Sequence, residues 1–479
     1  ALYGRTSLMI IGIDVGGTHT DAVLLSSERI EKNFKVPTDP KDLFGTVLKA
    51  FSMILDQTDI PRIQRVVLST TLTTNAIVQQ DMSPVGMIVS AGPGIDPDNF
   101  STGDHYYCVS GSINHRGREK ASVNEMEIED IARKMKADGI EYVGVVSKFS
   151  IRNPSHEILI RRLLNRHFKK VFLGHHVSGN LNFPRRIATT HLNTSVYSVH
   201  KAFFEAVSQS LAEKGLTVPI QILKADGGTM SLEASMAFPG QTILSGPAAS
   251  IMGAIPYAPQ GHDAIVLDIG GTTTDIAFLV NQSPVLEPVG IRRGQYKSLI
   301  RSLRTDSRGI GGDSVVRVKD GTILIGPDRK GPAMAFGGPV PTPTDALVAL
   351  GLMDTGDQKA ARNGIRSLAE KLGAGIEETS EKIFKRCCAI ILKKTFEMID
   401  RLNSKPVYTV HEFLERYKFS PRKILLLGGP APYFARRIQE MYHIETLAVP
   451  ASSVANAVGA ALARTTCEVT LNADTEQGI

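Results

Sequence analysis

Residues 14–25 read DVGGTHTDAVLL and residues 268–279 read DIGGTTTDIAFL, so one pattern occurs twice in the chain. Aligned without gaps, the two stretches share 7 of 12 positions, and their starts lie 268 − 14 = 254 residues apart. Each follows an apolar run (9–13 or 264–267) and leads into another, which predicts buried strands on both sides of a glycine turn. The repeat therefore predicts one β-hairpin made twice, in two related domains.

The turns of the two hairpins have the composition of a phosphate-binding loop. Paired glycines let backbone N–H groups approach a phosphate closely, and threonine hydroxyls add short donors. Asp14 and Asp268 stand where the strands end, where each can hold Mg²⁺ or orient an attacking oxygen. A plain glycine turn is the alternative, and the repetition argues against it. The predicted nucleotide-binding residues of the turns are Gly16, Gly17, Thr18, Thr20, Gly270, Gly271, Thr272 and Thr273.

Two further glycine pairs extend the nucleotide-site prediction. Residues 423–427 form an apolar run that ends in Gly428 and Gly429, where bare backbone lets an adenine or ribose lie flat. A strand followed by two glycines is more often a tight connection, so this signal is weak by itself. Gly311 and Gly312 lie in another glycine-rich turn and are also assigned to the nucleotide.

Length and composition restrict the class of protein. A chain of 479 residues exceeds what one core usually holds, so two or three domains are expected. Apolar residues make up 42% and charged residues 21%, which excludes dominant disorder. The net charge of +6 is mild, there is no run of five basic residues, and aromatics are 6%. A nucleic-acid partner is therefore not expected.

Motif and cysteine patterns exclude other classes. The sequence has no G-x-x-x-x-G-K-[ST] and no G-x-G-x-x-G before a helix, which argues against P-loop and dinucleotide folds. Four cysteines without a C-x-x-C pair indicate a reducing compartment, so a cytoplasmic location is expected. The longest uncharged stretch, 234–262, is interrupted by prolines and glycines, so no membrane association is expected.

Polar clusters mark substrate or cleft candidates. Thr71, Thr74 and Asn75 belong to a run of hydroxyls and an amide at a predicted strand-to-helix junction. A helix N-cap needs one such residue, so the cluster favours a loop that faces a ligand. Asp226-Gly227 is a turn after a strand, and Ser245 starts a helix where N–H groups attract phosphate; for Ser245 an ordinary helix cap is an equal alternative.

These motifs together resemble a known family. Two D-x-G-G-T-x-T-D hairpins and a late strand-Gly-Gly resemble the phosphate and adenosine elements of the actin/Hsp70/sugar-kinase ATPase superfamily. Segments 69–76 (STTLTTNA), 242–249 (TILSGPAA) and 341–346 (PTPTDA) are similar to segments of the hydantoinase/oxoprolinase family, hydantoinase A type. The last segment adds Asp345, and the resemblance also places Asp226 at the nucleotide cleft.

The resemblance implies a fold and a domain division. We expect an α/β protein with two ribonuclease-H-like domains and a nucleotide cleft between them. The N-terminal domain is predicted at 9–183, the second ATPase-core domain at 184–464, and a tail at 465–479. Residues 1–8 precede the organised pattern and are expected to be a leftover of cloning.

The resemblance also implies an activity. The family phosphorylates the carbonyl oxygen of a cyclic amide with ATP, after which water opens the ring. Asp14 and Asp268 are thus predicted to be catalytic and to bind Mg²⁺, without a decision on which of them acts as the base. A small-molecule kinase and a reactivating, chaperone-like ATPase remain as alternatives.

The expected partners follow from the same family. The ligands are ATP, Mg²⁺ and a hydantoin or lactam substrate, and the protein partner is a hydantoinase B-like subunit or a second copy of the chain. The family's P-G-P-A-C-Y-G stretch is represented only by residues 331–338, without Cys and Tyr. Because of this departure, the sequence supports lactam or hydantoin chemistry less firmly than it supports ATP handling.

Periodicity predicts the remaining elements. Between the hairpins, apolar runs and amphipathic segments alternate, which indicates layered α/β structure. The predicted strands are 66–69, 85–89, 142–146, 171–173 and 219–223; the predicted helices are 42–55, 127–137, 154–168, 184–214, 345–352, 358–372, 375–402, 431–442 and 454–464.

Overall fold

A computed structural model describes residues 8–27, 29–39, 41–78, 82–287, 290–293, 296–404, 417–471 and 473. The chain forms two compact units, each discontinuous in sequence. Unit 1 comprises Ala1–Ala248, Leu286–Ser302 and Ala460–Ile479, and unit 2 comprises Ala249–Val285 and Leu303–Gly459. The division into domains at 183/184 stays a prediction. Of the predicted leftover 1–8 and the tail 465–479, residues 1–7, 472 and 474–479 lie outside the described residues.

Both units are built on strands that alternate with helices. The strands are β1 (Met9–Val15), β2 (His19–Leu25), β3 (Ile30–Pro37), β4 (Ile63–Thr70), β5 (Gly86–Ser90), β6 (Tyr106–Cys108), β7 (Ser112–Ile113), β8 (Glu119–Ala121), β9 (Tyr142–Ser147), β10 (Lys170–Leu173), β11 (Ile220–Leu223), β12 (Thr229–Ser231), β13 (Asp263–Ile269), β14 (Thr274–Val280), β15 (Ser283–Pro284), β16 (Arg292–Arg293), β17 (Tyr296–Lys297), β18 (Thr305–Arg308), β19 (Val316–Lys319), β20 (Thr322–Ile325), β21 (Pro421–Leu427) and β22 (Glu445–Ala448).

The helices vary from one turn to eight turns. They are α1 (Leu43–Leu55), α2 (Leu72–Val78), α3 (Glu125–Ala137), α4 (Ser155–Leu164), α5 (Gly174–Val177), α6 (Phe183–Glu213), α7 (Leu232–Ala237), α8 (Ser245–Ala254), α9 (Pro343–Ala349), α10 (Gln358–Leu372), α11 (Ile376–Asn403), α12 (Ala431–Tyr442) and α13 (Ala455–Leu462). Short 3-10 helices add Ile60–Arg62, Pro97–Phe100, Pro239–Thr242, Ile255–Tyr257, Met334–Phe336 and Ser452–Val454.

The main sheet of unit 1 has the strand order β12-β11-β4-β1-β2-β3. Strand β1 pairs in parallel with β4, which pairs in parallel with β11, while β2 is antiparallel to β1. The glycine turn makes β1 and β2 a hairpin, as the sequence predicts. A second, parallel sheet of unit 1 has the order β10-β9-β5-β6.

The sheet of unit 2 repeats this arrangement. Strands β13 and β14 form the second hairpin, β18 pairs antiparallel with β14, and β21 and β22 continue in parallel on the other side. The order β18-β14-β13-β21-β22 is therefore equivalent to β3-β2-β1-β4-β11. This shared order, with its second strand antiparallel, confirms the prediction of two ribonuclease-H-like α/β units.

The main sheet of each unit is buried against helices. In unit 1, Phe51 of α1 and Phe204 of α6 pack in one apolar cluster with the strands of the main sheet. In unit 2, Phe384 and Cys387 of α11 pack with Phe434 of α12 against β13 and β21. Burial of the Cys387 thiol raises its pKa to about 12, which agrees with a packing role for this cysteine.

The segment after α13 returns to the sheet of unit 1. Thr465 forms a parallel bridge with Thr229 of β12, and the Thr229 amide donates to the carbonyl oxygen of Arg464. The Arg65 guanidinium of β4 donates to the carbonyl oxygens of Ala461 and Ala463 at 3.2 and 3.1 Å. Residues that lie far apart in the sequence thus complete one unit.

None of the helices in the described ranges combines enough length with enough apolar character to cross a lipid bilayer.

The buried imidazole of His200 makes the stability of unit 1 sensitive to acid. Its Nε2 lies 2.9 Å from Ser235 Oγ, and burial lowers its pKa to about 3. Because the native pKa lies below the unfolded value of about 6.5, the unfolded chain binds the additional proton. The stabilisation is complete above pH 6.5 and is lost as the pH falls towards 3.

Between pH 7 and pH 5, protonation linked to His200 should lower the unfolding free energy of the wild type by roughly 2 kcal/mol. We expect His200→Gln to lack this part of the pH dependence. Urea unfolding at the two pH values measures this difference. His115→Gln, at an exposed histidine, is the control and should keep the wild-type pH dependence. Equal pH dependence in the His200 variant and the wild type would contradict a neutral buried imidazole.

Candidate functional site

The carboxyl ends of three parallel strands meet at one edge of the unit 1 sheet. Strand β1 ends after Asp14, β4 ends before Thr71, and β11 ends before the turn that holds Asp226. Ligands of open α/β sheets bind at such edges. The fold therefore brings three groups of predicted site residues to one side of unit 1.

The glycine turns of the two hairpins have the same hydrogen bond. The Gly16 amide donates to the His19 carbonyl oxygen at 3.0 Å, and the Gly270 amide donates to that of Thr273 at 2.9 Å. Gly17, Thr18 and Thr272 are exposed or partly exposed near the turn tips, and a Cβ at Gly17 would meet nothing within 4 Å. The open space at Gly17 is what close approach of a phosphate requires.

Thr20 differs from the other predicted turn residues. It is fully buried, and its Oγ1 lies 3.0 Å from Thr38 Oγ1. This hydroxyl connects β2 to the chain after β3. The hydrogen bond to Thr38 accounts for a threonine at position 20, so no ligand is needed to explain it.

Each hairpin places two aspartates opposite one another. In the register of β1 and β2, Asp14 pairs with Asp21, and in β13 and β14, Asp268 pairs with Asp275. Directly opposed residues of an antiparallel ladder extend from the same face, so each hairpin carries two carboxylates side by side. Opposed like charges are unfavourable without a nearby cation. Asp21 and Asp275 are thus candidate site residues that the sequence predictions did not include.

The surroundings of the two carboxylate pairs differ. Lys35 of β3 is opposite Asp21, and its Nζ lies 2.7 Å from Asp21 Oδ1. The equivalent position opposite Asp275 in β18 is Ser307. The Ser250 hydroxyl donates to Asp268 Oδ2 at 2.6 Å. The carboxylate pair of the first hairpin therefore has a lysine beside it, whereas the pair of the second hairpin has serine hydroxyls beside it.

The glycine pair after β21 lies at the corresponding edge of the unit 2 sheet. Gly428 has φ of +89°, and a Cβ there would lie 2.1 Å from the Ile269 carbonyl oxygen and 3.0 Å from Asp268 Oδ1. Gly429 has no neighbour within 4 Å of its Cβ position. Gly428 thus permits close packing on the second hairpin, whereas Gly429 has open space beside it.

The turn with Gly311 and Gly312 packs on the second hairpin through its backbone. The amides of Gly312 and Asp313 donate to the carbonyl oxygens of Gly270 and Gly271 at 2.9 and 2.7 Å. A Cβ at Gly311 would lie 2.4 Å from the Gly270 carbonyl oxygen. These two amides therefore support the turn of the hairpin. The Asp313 carboxylate is held by the Arg329 guanidinium at 3.0 Å.

The polar cluster after β4 joins neighbouring elements. Thr71 donates through its amide and its hydroxyl to the Val15 carbonyl oxygen, and Asn75 Nδ2 donates to Thr71 Oγ1 at 3.3 Å. Thr74 Oγ1 accepts from the Leu244 amide, and buried Ser245 Oγ donates to the Thr70 carbonyl oxygen. Thr71 therefore fixes the end of β4 beside the first hairpin.

The turn after β11 carries an ion pair. Asp226 Oδ1 accepts from the Gly228 amide at 3.0 Å, and Gly227 has φ of +83°, which a side chain would disfavour. Lys224 Nζ lies 3.2 Å from Asp226 Oδ2, and the two side chains are 7% and 13% exposed. Lys224 is a further residue that the sequence predictions did not include.

Asp345 is fully buried in a capping box at the start of α9. Its carboxylate accepts from the amides of Met334, Ala335 and Thr342 and from the Thr342 hydroxyl. Burial raises its pKa, although these hydrogen bonds oppose the shift. The hydrogen bonds account for Asp345 as a group that orders the loop before α9.

We expect Asp345→Ala to lower the unfolding free energy by at least about 2 kcal/mol, because buried amides lose their acceptor. The KM for ATP should change less than twofold. Urea unfolding and steady-state kinetics measure the two effects. Asp357→Ala, at the exposed N-cap of α10, is the control, with an expected cost of about 1 kcal/mol. A large rise in the KM for ATP with unchanged stability would assign Asp345 to the site.

Comparison of the chain with characterised proteins identifies several relatives. The caprolactamase subunit alpha of Pseudomonas jessenii is 24% identical over 92% of this chain and 68% of the relative. The acetophenone carboxylase gamma subunit of Aromatoleum aromaticum is 26% identical over 74% of this chain and 54% of the relative. The 5-oxoprolinase of Saccharomyces cerevisiae is 25% identical over 71% of this chain and 31% of the relative.

Solved structures share the fold. A nucleotide-free acetone carboxylase structure matches with a TM-score of 0.73 and 19% identity, over 95% of this chain and 70% of that chain. The ATP-dependent caprolactamase from Pseudomonas jessenii matches with a TM-score of 0.71 and 22% identity, over 94% and 70%.

The family is established by two matching regions. The sequence model described as "Hydantoinase/oxoprolinase N-terminal region" matches residues 10–168. The model described as "Hydantoinase/oxoprolinase" matches residues 186–469. Together with the duplicated hairpins, these matches confirm the predicted resemblance: the chain belongs to the hydantoinase/oxoprolinase family.

Proposed function

We propose that this chain is an ATP-dependent hydrolase that opens a cyclic amide after phosphorylation of its carbonyl oxygen. The observation that carries the proposal is the family match over residues 10–168 and 186–469. Each of these two regions contains one glycine hairpin with a pair of carboxylates. ATP-dependent relatives, the caprolactamase among them, support the use of ATP. The nature of the substrate is the part that needs a direct test.

The chemistry explains why ATP is needed. An amide carbonyl is a poor electrophile because the nitrogen lone pair is delocalised onto the oxygen, so water attacks it slowly. Transfer of the γ-phosphoryl group to that oxygen releases ADP and makes the carbon electrophilic. Water then adds to the carbon, the C–N bond breaks as the ring nitrogen leaves with a proton, and a second water hydrolyses the resulting acyl phosphate to carboxylate and phosphate. The glycine turns at Gly16-Gly17 and Gly270-Gly271 are proposed to direct backbone N–H groups at the phosphates of ATP. Asp14 or Asp268 is proposed to accept the proton of the attacking group.

Magnesium fits the donor set of the hairpins. Mg²⁺ prefers oxygen ligands and is commonly held by one or two carboxylates together with phosphates and waters. The described residues contain no group of three or more His, Cys, Asp or Glu side chains that could hold a metal. Asp14 of unit 1 and Asp268 of unit 2 are each proposed as a ligand of Mg²⁺, which when bound neutralises phosphate charge. Residues 14 and 268 each have a second carboxylate opposite them on the same face.

A metal-dependent site predicts a linkage between metal and nucleotide. We expect a non-hydrolysable ATP analogue at 100 times its Kd to stabilise the chain by about 2.7 kcal/mol in the presence of Mg²⁺. Thermal unfolding with and without EDTA measures the effect. An equal rise in Tm with the metal chelated would contradict the proposed role of Asp14 and Asp268.

We also propose that the chain acts in an assembly. The caprolactamase and acetophenone carboxylase relatives are named as subunits, which supports a multisubunit enzyme. A hydantoinase B-like protein or a second copy of this chain is the proposed partner.

All four cysteines are free thiols, which supports a reducing compartment such as the cytoplasm.

A phosphate-release assay with cyclic amides tests the activity. Hydantoins and lactams should stimulate the release of inorganic phosphate and appear as ring-opened products, without a lasting organic phosphate in ³¹P NMR. A stable phosphorylated product would instead indicate a kinase. Failure of every cyclic amide to stimulate turnover, with the partner subunit present, would remove the hydrolase proposal.

A second candidate function is ATP-dependent carboxylation. The sequence similarity to the acetophenone carboxylase gamma subunit favours carboxylation over a small-molecule kinase or a chaperone-like ATPase. An enolate oxygen, like an amide oxygen, can accept a phosphoryl group, so the same hairpins would serve both reactions. Phosphate release that depends on a ketone and bicarbonate, and not on a cyclic amide, would select this function.

A further inference from the structure

Unit 1 contains a cavity of about 490 Å³ beside the turn after β11. All of its lining residues belong to unit 1. They come from the chain before and within α6, from the stretch between Lys224 and Gln241, from the segment Leu286–Ser302, and from the returning segment after α13. Pockets of this size suit small molecules, whose orientation is fixed by few polar groups among apolar ones. The cavity therefore has the size and the setting of a small-molecule site.

The polar part of the lining includes the Lys224–Asp226 ion pair, beside other polar side chains such as Asn193 and Glu287. Lys224 is only 5% exposed, and its Nζ has Asp226 as its hydrogen-bond partner among the described residues. An ammonium group has three donors and a carboxylate about four acceptor positions. After the bonds to Gly228 and to each other, the pair keeps a donor and an acceptor 3.2 Å apart.

The apolar part of the lining suits a ring of methylene groups. Met230, Ala234 and Phe238 line the cavity from the chain after β11, and Leu299 and Ile300 line it from the segment within Leu286–Ser302. These apolar side chains can contact the methylene groups of a ligand whose polar edge faces the ion pair.

A cyclic amide has such an edge. Open-chain secondary amides are trans, with N–H and C=O on opposite sides, because the cis form costs about 2.5 kcal/mol or more. A small ring forces the cis form, in which N–H and C=O lie on the same side. From the standard bond lengths, the amide nitrogen and oxygen are about 2.3 Å apart in either form, but only the cis form presents the N–H and the C=O along one edge. A neighbouring donor and acceptor can therefore bind both groups at once.

We propose that this cavity binds the cyclic amide substrate through the Lys224–Asp226 pair. Lys224 donates to the carbonyl oxygen, and Asp226 accepts from the ring N–H. The inference rests on the proposed function and specifies the substrate class: lactams or hydantoins with a free ring N–H, not open-chain amides.

The position of the pair agrees with the proposal. Val67 of β4 pairs with both Gln221 of β11 and Gly12 of β1. Two residues further along the strands, Leu223 and Asp14 are therefore also in register. Two strand spacings separate β11 from β1, which is about 10 Å. A substrate and a transferable phosphate can occupy this distance together at one edge of the sheet.

Ligand-observed NMR on the full chain tests the binding mode with four probes. The probes are 2-pyrrolidone, ε-caprolactam, N-methyl-2-pyrrolidone without a ring N–H, and open-chain N-methylacetamide. We expect at least one of the two N–H lactams to bind at least tenfold more tightly than the last two probes. Equal binding of the N–H and N-methyl lactams, or no binding of either N–H lactam, would overturn the proposal.

Two variants and a control assign the selectivity to the ion pair. Lys224→Met and Asp226→Asn should each weaken N–H lactam binding at least tenfold, and Asp226→Asn should leave N-methyl-2-pyrrolidone binding unchanged. Lys49→Met, at an exposed position of α1, should bind like the wild type. If both variants are folded and keep the wild-type selectivity, the Lys224–Asp226 pair is not the cause of that selectivity.

The kinetic readout separates the two proposals. If lactams stimulate phosphate release and both variants keep the wild-type KM for the lactam, the hydrolase proposal stands and the assignment of this cavity is wrong. If N–H-selective binding depends on Lys224 and Asp226 but no lactam stimulates phosphate release, the cavity assignment stands and the hydrolase proposal is wrong.

Discussion

Replacement of Asp14 or Asp268 by Asn is expected to reduce ATP turnover by about 10²- to 10³-fold while the protein stays folded. The amide keeps the size of the carboxylate but removes the charge that would hold a metal ion and accept a proton. Each aspartate also faces a second carboxylate, Asp21 or Asp275, across its hairpin. Since the substitution relieves that like-charge contact, we expect unchanged or slightly higher stability.

Phosphate release in the presence of the activating substrate, together with Tm, measures both effects. Asp354→Asn replaces an exposed aspartate of unit 2 and should retain full turnover, so it controls for the loss of one negative charge. Near-normal turnover in both hairpin variants would remove these aspartates from the mechanism. Loss of turnover accompanied by a large fall in Tm would instead indicate a structural role.

The second large effect is expected at the glycine pair after β21. Gly428→Ala introduces a Cβ that would lie 2.1 Å from the Ile269 carbonyl oxygen, at a φ of +89°. Neither the backbone clash nor the dihedral can relax without moving the end of β13 and Asp268. We expect a loss of at least about 2 kcal/mol, which corresponds to a fall in Tm of roughly 5 °C or more, and a strong loss of turnover.

Gly429→Ala provides the matched comparison. Its added Cβ meets nothing within 4 Å, so stability should stay within about 0.5 kcal/mol of the wild type. If the nucleotide lies against this residue, the affinity for ATP should fall nonetheless. Thermal unfolding and calorimetric titration with an ATP analogue separate the two outcomes. Equal Tm values for the two alanine variants would contradict the described packing of Gly428.

The sequence predicted the elements whose pattern is strong. The hairpins were found because an apolar run, a glycine turn and a second apolar run occur twice. The predicted helices 358–372 and 431–442 agree with α10 and α12, and 184–214 agrees with α6 within one residue at each end. Long amphipathic or buried segments leave a periodic signal that tertiary contacts do not override.

Weakly apolar strands were missed. Strand β3 reads IEKNFKVP, with charged side chains at three of its positions, because it lies at the edge of the sheet and alternates between exposed and partly buried residues. Strands β16 to β20 are short and were also not predicted. Edge and hairpin strands of this kind gain their stability from pairing, which composition does not reveal.

The site could be predicted only in part. Glycines and aspartates stood out because the repeat marked them, and the role of Asp14 and Asp268 stays a prediction. The opposition of Asp14 and Asp21 depends on the register across a four-residue turn, although the same seven-residue spacing in the second copy was a usable signal. Lys224 had no comparable signal, because its relation to Asp226 depends on the shape of the turn after β11.

The return of the segment after α13 to unit 1 has a consequence for biosynthesis. The bridge between Thr229 and Thr465 and the bonds from Arg65 to Ala461 and Ala463 span 236 to 398 residues. A ribosome must therefore synthesise the chain to about residue 465 before the first sheet acquires its last neighbours. Prematurely terminated products would expose an incomplete sheet margin to chaperones and proteases, so translation must run almost to residue 465 before a working first unit exists.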